Sequence, residues 1–592
     1  MRIKHFFGLA VLAAMTASCS SNDELANGGN GNGEITNETT VGYAAFNINL
    51  PSASGTRAEP EGTPTMDKGS EGEYKVKDAT ALIFQKFGLT EGDYKFVESI
   101  DIKTNAEDWV AGSGGITSSH KLVAQLTNVD HNKNSYSVLI LLNNKKTDGV
   151  NKVNKIKLPT LGESYSTWNN TVLTPTVADL AENDGFYMAN APLKSTTATE
   201  PTTLVPISTE YIYPTKEKAE AGTSAADVYV ERGVAKMTVT DPTTKIVKDR
   251  QDKTTTTKST VKFEKWALDI TNKKAYAVHN VDGLKNDWAG IWGEARFTGN
   301  NNRVYWAKDP NYDKVTLNTA DATNDTERGK EFNFIDATTK IDGDFAKPAY
   351  CLENTFNLAN MYQGQTTRVI FKATYTPKDA DDNSLADATD GTFYTIGNLT
   401  SALNTTKLEE AVNKAAESVL AGCTVDITTN INKAGSHVIT CADIKKGGAA
   451  LVAGDSYITT NGTKTGAEIV KAINDALGLK AADRPENMVG INTYAKGVTY
   501  YIARVKHFGE LTKWESGNDK YGTGDEANQK YLGRYGMLRN NWYDMTVGNV
   551  YGPGFPGVPP VVPDQPDDED DKYLSVSIKI LDWAKRSQSV DL

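Results

Sequence analysis

The sequence predicts an all-β protein with short helical insertions. Two observations carry this. Apolar residues recur at every second position in short runs bounded by turn residues, as half-buried strands require. The 49 glycines and the long Thr, Asn and Asp tracts supply turns, while a 3.6-residue apolar period is confined to two stretches, 401–421 and 466–478. At 592 residues the chain exceeds what a single hydrophobic core supports, so several domains are expected.

Taken in order, VGYAAFNINLP places Phe46, Ile48 and Leu50 on one face of a strand, alternating with Ala45, Asn47 and Asn49. Further strands are expected at 76–84, 121–126 and 136–142, with shorter ones at 186–193 and 203–208. Together they predict a β-sandwich domain over 58–227 that ends in an Ala/Glu/Lys-rich spacer at 216–227. A second series opens with VYVERGVAKMTVT at 228–240 and continues at 261–271, 367–377, 498–508 and 540–550. It gives a second β-rich domain over 228–556 that carries the two short helices. Residues 557–572, Pro-rich and then acidic, read as an extended, unpacked spacer. In the last segment, 573–592, Leu574, Val576, Ile578 and Ile580 alternate with polar residues. Leu581 and Trp583 fall out of phase, which predicts a bulge or a change of facing near Ile580.

The N-terminus carries an address. Residues 1–18 join a basic start (Arg2, Lys4) to an apolar run from Phe6 to Met15 and to small residues that lead into Cys19. The run is about half the roughly 20 residues that a spanning helix needs. It resembles a bacterial lipoprotein signal, in which the Cys19 thiol receives the acyl chains, although Thr16 stands where Leu is usual. The Asp23–Glu24 pair behind it resembles an acidic surface-export tag. Residues 20–40 read as a flexible tether, and 19–57 as a lipidated propeptide that carries the first strand.

Composition excludes several classes. A net charge of −12 argues against nucleic acid and anionic membrane surfaces as partners. Beyond Cys19 only Cys351, Cys423 and Cys441 remain, so at most one disulfide can form among them, Cys423 with Cys441 being the nearest pair. No metal or cofactor is expected. The six histidines show no HExxH spacing and none lies near a GxSxG elbow, so no enzyme is expected. GPGFPG at 552–557 matches a dinucleotide fingerprint in letters only, because its prolines cannot open the required helix. The acidic run Asp567 to Asp571 lacks Gly-punctuated calcium-loop spacing and reads as solvated spacer.

Function is expected at the two ends. Arg57 and Ala58 lie in a small, polar, turn-rich segment of the kind proteases cut. If the strand of Phe46, Ile48 and Leu50 completes a sandwich and is then severed after Arg57, its loss opens an apolar groove with unpaired edges. The C-terminal strand of another copy, with Leu574, Val576, Ile578, Ile580 and Trp583, would fill it by strand addition. Two alternatives compete: the C-terminal run is the last strand of its own domain, or the chain is a monomeric surface lipoprotein that binds glycan or host protein through aromatics such as Trp288 and Trp292.

These features, with the segments YYIARVKHFG (500–509) and YGMLRNNWYDMTV (535–547), resemble the type V pilins, and within them the Mfa-like (minor fimbrium) fimbrillins. The resemblance implies two tandem transthyretin-like β-sandwich domains with an extended C-terminal donor strand. It further implies export as an outer-membrane lipoprotein, cutting at Arg57 by an Arg-specific protease, and donor-strand polymerisation with other copies and with fimbrial anchor and tip subunits. Having both a cut site and a donor, the chain is expected to be a stalk subunit that supports adhesion.

Overall fold

In the computed structural model, residues 41–50, 69–111, 118–130, 135–148, 150–182, 185–194, 200–240, 242–249, 254–255, 257–287, 304, 306–318, 322–397, 401–428, 430–482, 488–508, 531–567 and 574–582 are described. The first sheet uses β1 (Gly42–Asn49), β2 (Ala79–Gln85), β3 (Lys95–Ile102), β4 (Ser118–Leu126), β5 (Tyr136–Leu142), β6 (Met188–Asn190) and β7 (Ala226–Arg232). Its order is β3-β2-β5-β6-β7-β1-β4, with Val110–Ala111 beyond β4. β5 (YSVLILL) is buried along its whole length, which is why its sequence is a continuous apolar run rather than an alternation.

The second core lies between two four-stranded sheets. One runs β10 (Ala349–Cys351), β8 (Ala235–Val239), β15 (Asn541–Val550) and β16 (Leu574–Asp582). The other runs Lys245–Ile246, β9 (Thr260–Asp269), β11 (Arg368–Thr376) and β14 (Val498–Arg504). Met237, Tyr543, Met545 and Val547 from the first meet Val261, Phe371 and Tyr501 from the second. This is the interdigitated interior of a β-sandwich. Between β11 and β14 the chain inserts β12 (Phe393–Ile396), β13 (Ile491–Tyr494) and the two expected helices, α1 (Thr405–Val419) and α2 (Gly466–Ala476). Asn404 caps α1 through Lys407 N, and Thr465 with Glu468 forms a capping box on α2. Leu408, Val412, Ile469 and Ile473 bury the apolar faces of the pair in a third core.

Three expectations about connections are corrected. The stretch 228–240 is two strands: β7 belongs to the first sheet and β8 to the second core, so the chain changes sheets at Gly233–Val234. A Cβ on Gly233 would lie 2.7 Å from the Tyr187 ring, so only glycine fits this crossing. The 216–227 spacer instead holds a short helix, Lys216–Ala221, capped by Thr215, and the start of β7. The two cores also share chain, since Ala275, Ala277, Val278 and Leu352 pack into the first, and the described residues from Val41 onward form one compact unit.

The proline-rich spacer is packed as far as Asp567. Phe555 exchanges both backbone hydrogen bonds with Tyr500, at 2.8 and 2.9 Å. The Arg368 guanidinium, held by Asp269 at 2.8 Å, donates to the carbonyls of Pro559 and Pro560. Proline lacks an N–H but keeps its carbonyl acceptor, and a buried guanidinium with five donors can collect two of them. Asp567 is buried: its carboxylate accepts from Thr366 Oγ1 at 3.0 Å and its N–H donates to Met361 O. Asp568 to Asp571 lie outside the described residues.

Candidate strand-exchange site

β1 is an interior strand. It pairs antiparallel with β4 from Gly42↔Leu126 to Asn49↔Ser119. On its other edge it pairs parallel with β7 from Phe46↔Ala226 to Asn49↔Tyr229, and Tyr43 and Ala44 pair with Tyr213 and Ile212. Beyond the ladder, Leu50 N donates to Ser118 O at 2.9 Å and Ala225 N to Ala45 O at 2.7 Å. Phe46, Ile48 and Leu50 are fully buried in the first core with Ala44, so the alternation in the sequence is the inward face of the strand. At about 1.5–3 kcal/mol per large apolar side chain, these three contribute about 4.5–9 kcal/mol.

Cys19, Arg57, Ala58 and Trp583 lie outside the described residues, as do Trp288 and Trp292. β1 ends at Asn49, and the chain that follows Leu50 is the 51–68 segment containing Arg57. The described chain resumes at Gly69 and enters a one-turn helix, Glu71–Tyr74, whose Glu73 is buried. The Glu73 carboxylate accepts from Lys236 Nζ at 2.7 and 3.1 Å and from Tyr350 OH at 2.6 Å. Arg232 Nε donates to Glu73 O at 2.6 Å, and the Lys236 ammonium sits 3.7 Å from the centroid of the Trp542 ring. Burial, then the bond to Glu73, raises the Tyr350 pKa, so that hydroxyl remains a donor. This clamp fixes the chain just beyond the Arg57 segment onto β7, β8, β10 and β15. Sequence reasoning missed it; the available signal was a lysine at the centre of the apolar run VAKMTV.

At the other end, the segment read as a free donor is a strand, but it pairs within its own chain. β16 runs antiparallel to β15, from Asn541↔Asp582 through Tyr543↔Ile580 and Met545↔Ile578 to Val550↔Leu574. This is the pairing of the alternative reading, in which the C-terminal run is the last strand of its own domain: the exposed edge of β15 recruits it. The bulge is not near Ile580. Register shifts between Val547 and Val550, where β15 carries an extra residue around Gly548–Asn549 opposite Leu574–Val576. Among the described residues β16 forms the edge of its sheet, paired on one side only.

A second buried polar group unites the cores. His279 Nδ1 lies 2.7 Å from Glu231 Oε1, and its Nε2 lies 3.1 Å from Trp306 O. Burial pulls the His279 pKa down, but Glu231 and Glu353 outweigh it and leave it raised. Arg539 bonds Glu353 at 3.2 Å. Burial pushes Asp309 up to about 7 against the N–H donors of Thr355 and Asn311. Cys351, Cys423 and Cys441 are free thiols, so Cys423 and Cys441 are unbridged. Among the described residues no group of three or more His, Cys, Asp or Glu side chains is placed to hold a metal.

The described chain is thus mostly β, with an apolar strand at its N-terminal end seated between two neighbours and an edge strand at its C-terminal end. Residues 492–589, which include β14, β15 and β16, match the family described as Major fimbrial subunit protein type IV, Fimbrillin, C-terminal. The likeness to a fimbrillin is thus one of the C-terminal segment, and it supports a fimbrial subunit role at the cell surface. No curated protein matches the chain. Among solved structures, a candidate cell adhesion protein from Parabacteroides distasonis ATCC 8503 is 9% identical with a TM-score of 0.36, covering 92% of this chain and 99% of that one. A fimbrial assembly protein from the same organism is 12% identical with a TM-score of 0.25, covering 62% of this chain and 93% of that one.

Proposed function

We propose that the chain is a stalk subunit of a surface fimbria, lipidated at Cys19, cut between Arg57 and Ala58, and polymerised by exchanging β1 for the C-terminal strand of another copy. One observation carries the reading: β1 is bonded along both edges and buries Phe46, Ile48 and Leu50, yet its covalent exit is the arginine-bearing 51–68 segment. A cut there converts an integral core strand into a detachable peptide. What remains is an apolar slot edged by the N–H and C=O groups of β4 and β7, a template for an extended strand. The Glu73 clamp supports the reading, since it holds the chain beyond the cut in place while the piece before the cut departs.

The incoming strand would be 574–582, which at 9 residues matches the 8 of β1. Its position in cis is a resting state: strand exchange asks it to leave β15 and enter a slot on the next subunit. An adhesive role follows from subunits displayed at the surface in a polymer.

The test is N-terminal sequencing of surface-extracted protein, with Arg57→Ala as the variant. The mature chain should begin at Ala58, and the variant should reach the surface and stay monomeric. Ladders from Arg57→Ala as long as those of the wild type would overturn the cut-and-exchange reading.

A further inference from the structure

The second sheet of the second core ends at β14, and among the described residues no strand pairs with its outer side. Such an edge turns the N–H and C=O groups of alternate residues toward any extended chain that arrives. Tyr500 is one of these outward residues, and Phe555, in the proline-rich segment 552–567, takes both its groups. Phe555 N donates to Tyr500 O at 2.8 Å and Tyr500 N to Phe555 O at 2.9 Å. β16 approaches β14 without pairing with it.

The segment covers this edge without becoming a new one. Extending the antiparallel register Tyr500↔Phe555 would bring Pro553 opposite Ile502, and proline has no N–H to give. The carbonyls around the rung are spoken for: the hydroxyls of Tyr501, Thr499 and Tyr494 donate to Gly552 O, Pro553 O and Gly554 O. Pro556 lacks a donor on the other flank of Phe555. A chain seeking to add to the segment therefore meets few donors and few open acceptors. The close approach requires glycine at 554, where φ is +68° and a Cβ would lie 2.5 Å from Tyr500 O. Farther along, Arg368 holds Pro559 and Pro560, Gln363 N donates to Gln565 O at 2.9 Å, and Thr366 holds Asp567.

We propose that segment 552–567 is a strand stop: it occupies the β14 edge so that this edge cannot accept the C-terminal strand, residues 574–582, of a second copy. The proposal rests on the exchange reading, which makes 574–582 an apolar strand in search of an acceptor. A subunit that offered both the slot of β1 and the edge of β14 would take donors in two places, and its polymers would branch. Closing the second leaves one acceptor per subunit. The composition suits this task. A chain that lies along an edge and must not extend the sheet is best built from residues without an N–H, and six of the 16 residues of 552–567 are proline.

The test uses the uncut full-length precursor, in which β1 fills its slot, and a fluorescent synthetic peptide of residues 574–582 as the probe. Gly554→Val drives the segment off Tyr500 by steric conflict. Phe555→Pro, at a partly exposed position, removes the N–H given to Tyr500 O and keeps a second route open if the first variant does not fold. Circular dichroism selects the folded variants, and peptide binding, light scattering and cross-links mapped by mass are read on each. A folded variant should bind the peptide on the order of tenfold more tightly than the wild type, the worth of the two backbone bonds that now hold the rung. Its cross-links should fall on β14, and it should associate where the wild type is monomeric. A folded variant that binds no better than the wild type, or that cross-links elsewhere, would overturn the proposal. The exchange reading is scored on a separate sample, precursor cut at Arg57 and stripped of β1. If that sample refuses the peptide while the variants take it, exchange through the slot fails and the covered edge stands. Uptake there with unresponsive variants does the reverse.

Discussion

Losing β1 should unfold the first core, and supplying it in trans should restore it. Cutting the precursor after Arg57 leaves the strand held by non-covalent contacts alone. Those contacts are the burial of Phe46, Ile48 and Leu50, about 4.5–9 kcal/mol, with the ladders to β4 and β7. Native domains are stable by only about 5–15 kcal/mol in total. A subunit freed of residues 41–50 therefore retains little or none of the stability of its first core, whereas the second, whose residues begin at Ala235, keeps its own. The assay is calorimetry of three samples: intact precursor, precursor cut at Arg57, and cut protein from which the strand has been stripped in denaturant and removed before refolding. The cut sample should melt like the precursor, and the stripped sample should lose one transition. A synthetic 41–50 peptide should bring that transition back, while a peptide with Phe46 and Ile48 replaced by Asp should not. If the stripped subunit melts like the precursor, β1 is dispensable to the core and the slot argument fails.

Other consequences follow from the clamp, the buried titratable groups and the C-terminal edge. Glu73→Gln leaves the Lys236 ammonium buried without its carboxylate and should cost about 3–5 kcal/mol in a chemical-denaturation series. Adding Lys236→Met should recover part of that loss. The pKa values of Asp309 and His279 are raised in the folded state, so each stabilises below its unfolded value and loses that contribution as pH rises through its folded value. Melting temperature should therefore fall between about pH 4 and 7 on account of Asp309, and fall further above 6.5 on account of His279. Asp309→Asn should flatten the lower part of this slope and His279→Gln the upper part. Deleting 574–592 should lower the second core's transition without abolishing it, because β16 is a sheet edge on β15, and the truncated chain should associate edge to edge more readily by light scattering.

The elements that could be read in advance are those whose cause is local. The continuous apolar run of β5, the alternation of β15 and the capped amphipathic pair α1 and α2 stand where the periodicities place them. So does the inward face of β1. What escaped was decided by partners far away in sequence. The run 557–567 looks like spacer by composition, yet it is pinned by Arg368, 191 residues before Pro559. The break at Gly233 depends on the ring of Tyr187, and the Glu73 clamp joins residues 163 positions apart. Likewise, nothing in the alternation of Leu574, Val576, Ile578 and Ile580 says whose sheet edge the strand meets. A one-faced strand specifies an apolar partner and leaves the choice of chain to topology.

That choice gives the proposed exchange its direction. Among the described residues of its own subunit β16 has one neighbour, with eight residue pairs along β15 and the sheet ending beyond it. The slot that β1 occupies offers eight pairs along β4, four along β7 and two more with Ile212 and Tyr213. A strand that moves from the edge of one sheet to the interior of another replaces a half-satisfied backbone with one bonded on both sides. It also trades a sheet margin for the interior of the first core. The exchange would therefore run downhill only once the slot is empty, and while β1 is covalently attached the local copy would outcompete any strand arriving from solution by its effective concentration. The cut at Arg57 would remove that advantage. On this account proteolysis sets the timing of assembly, and the difference between an edge and an interior position supplies its driving force.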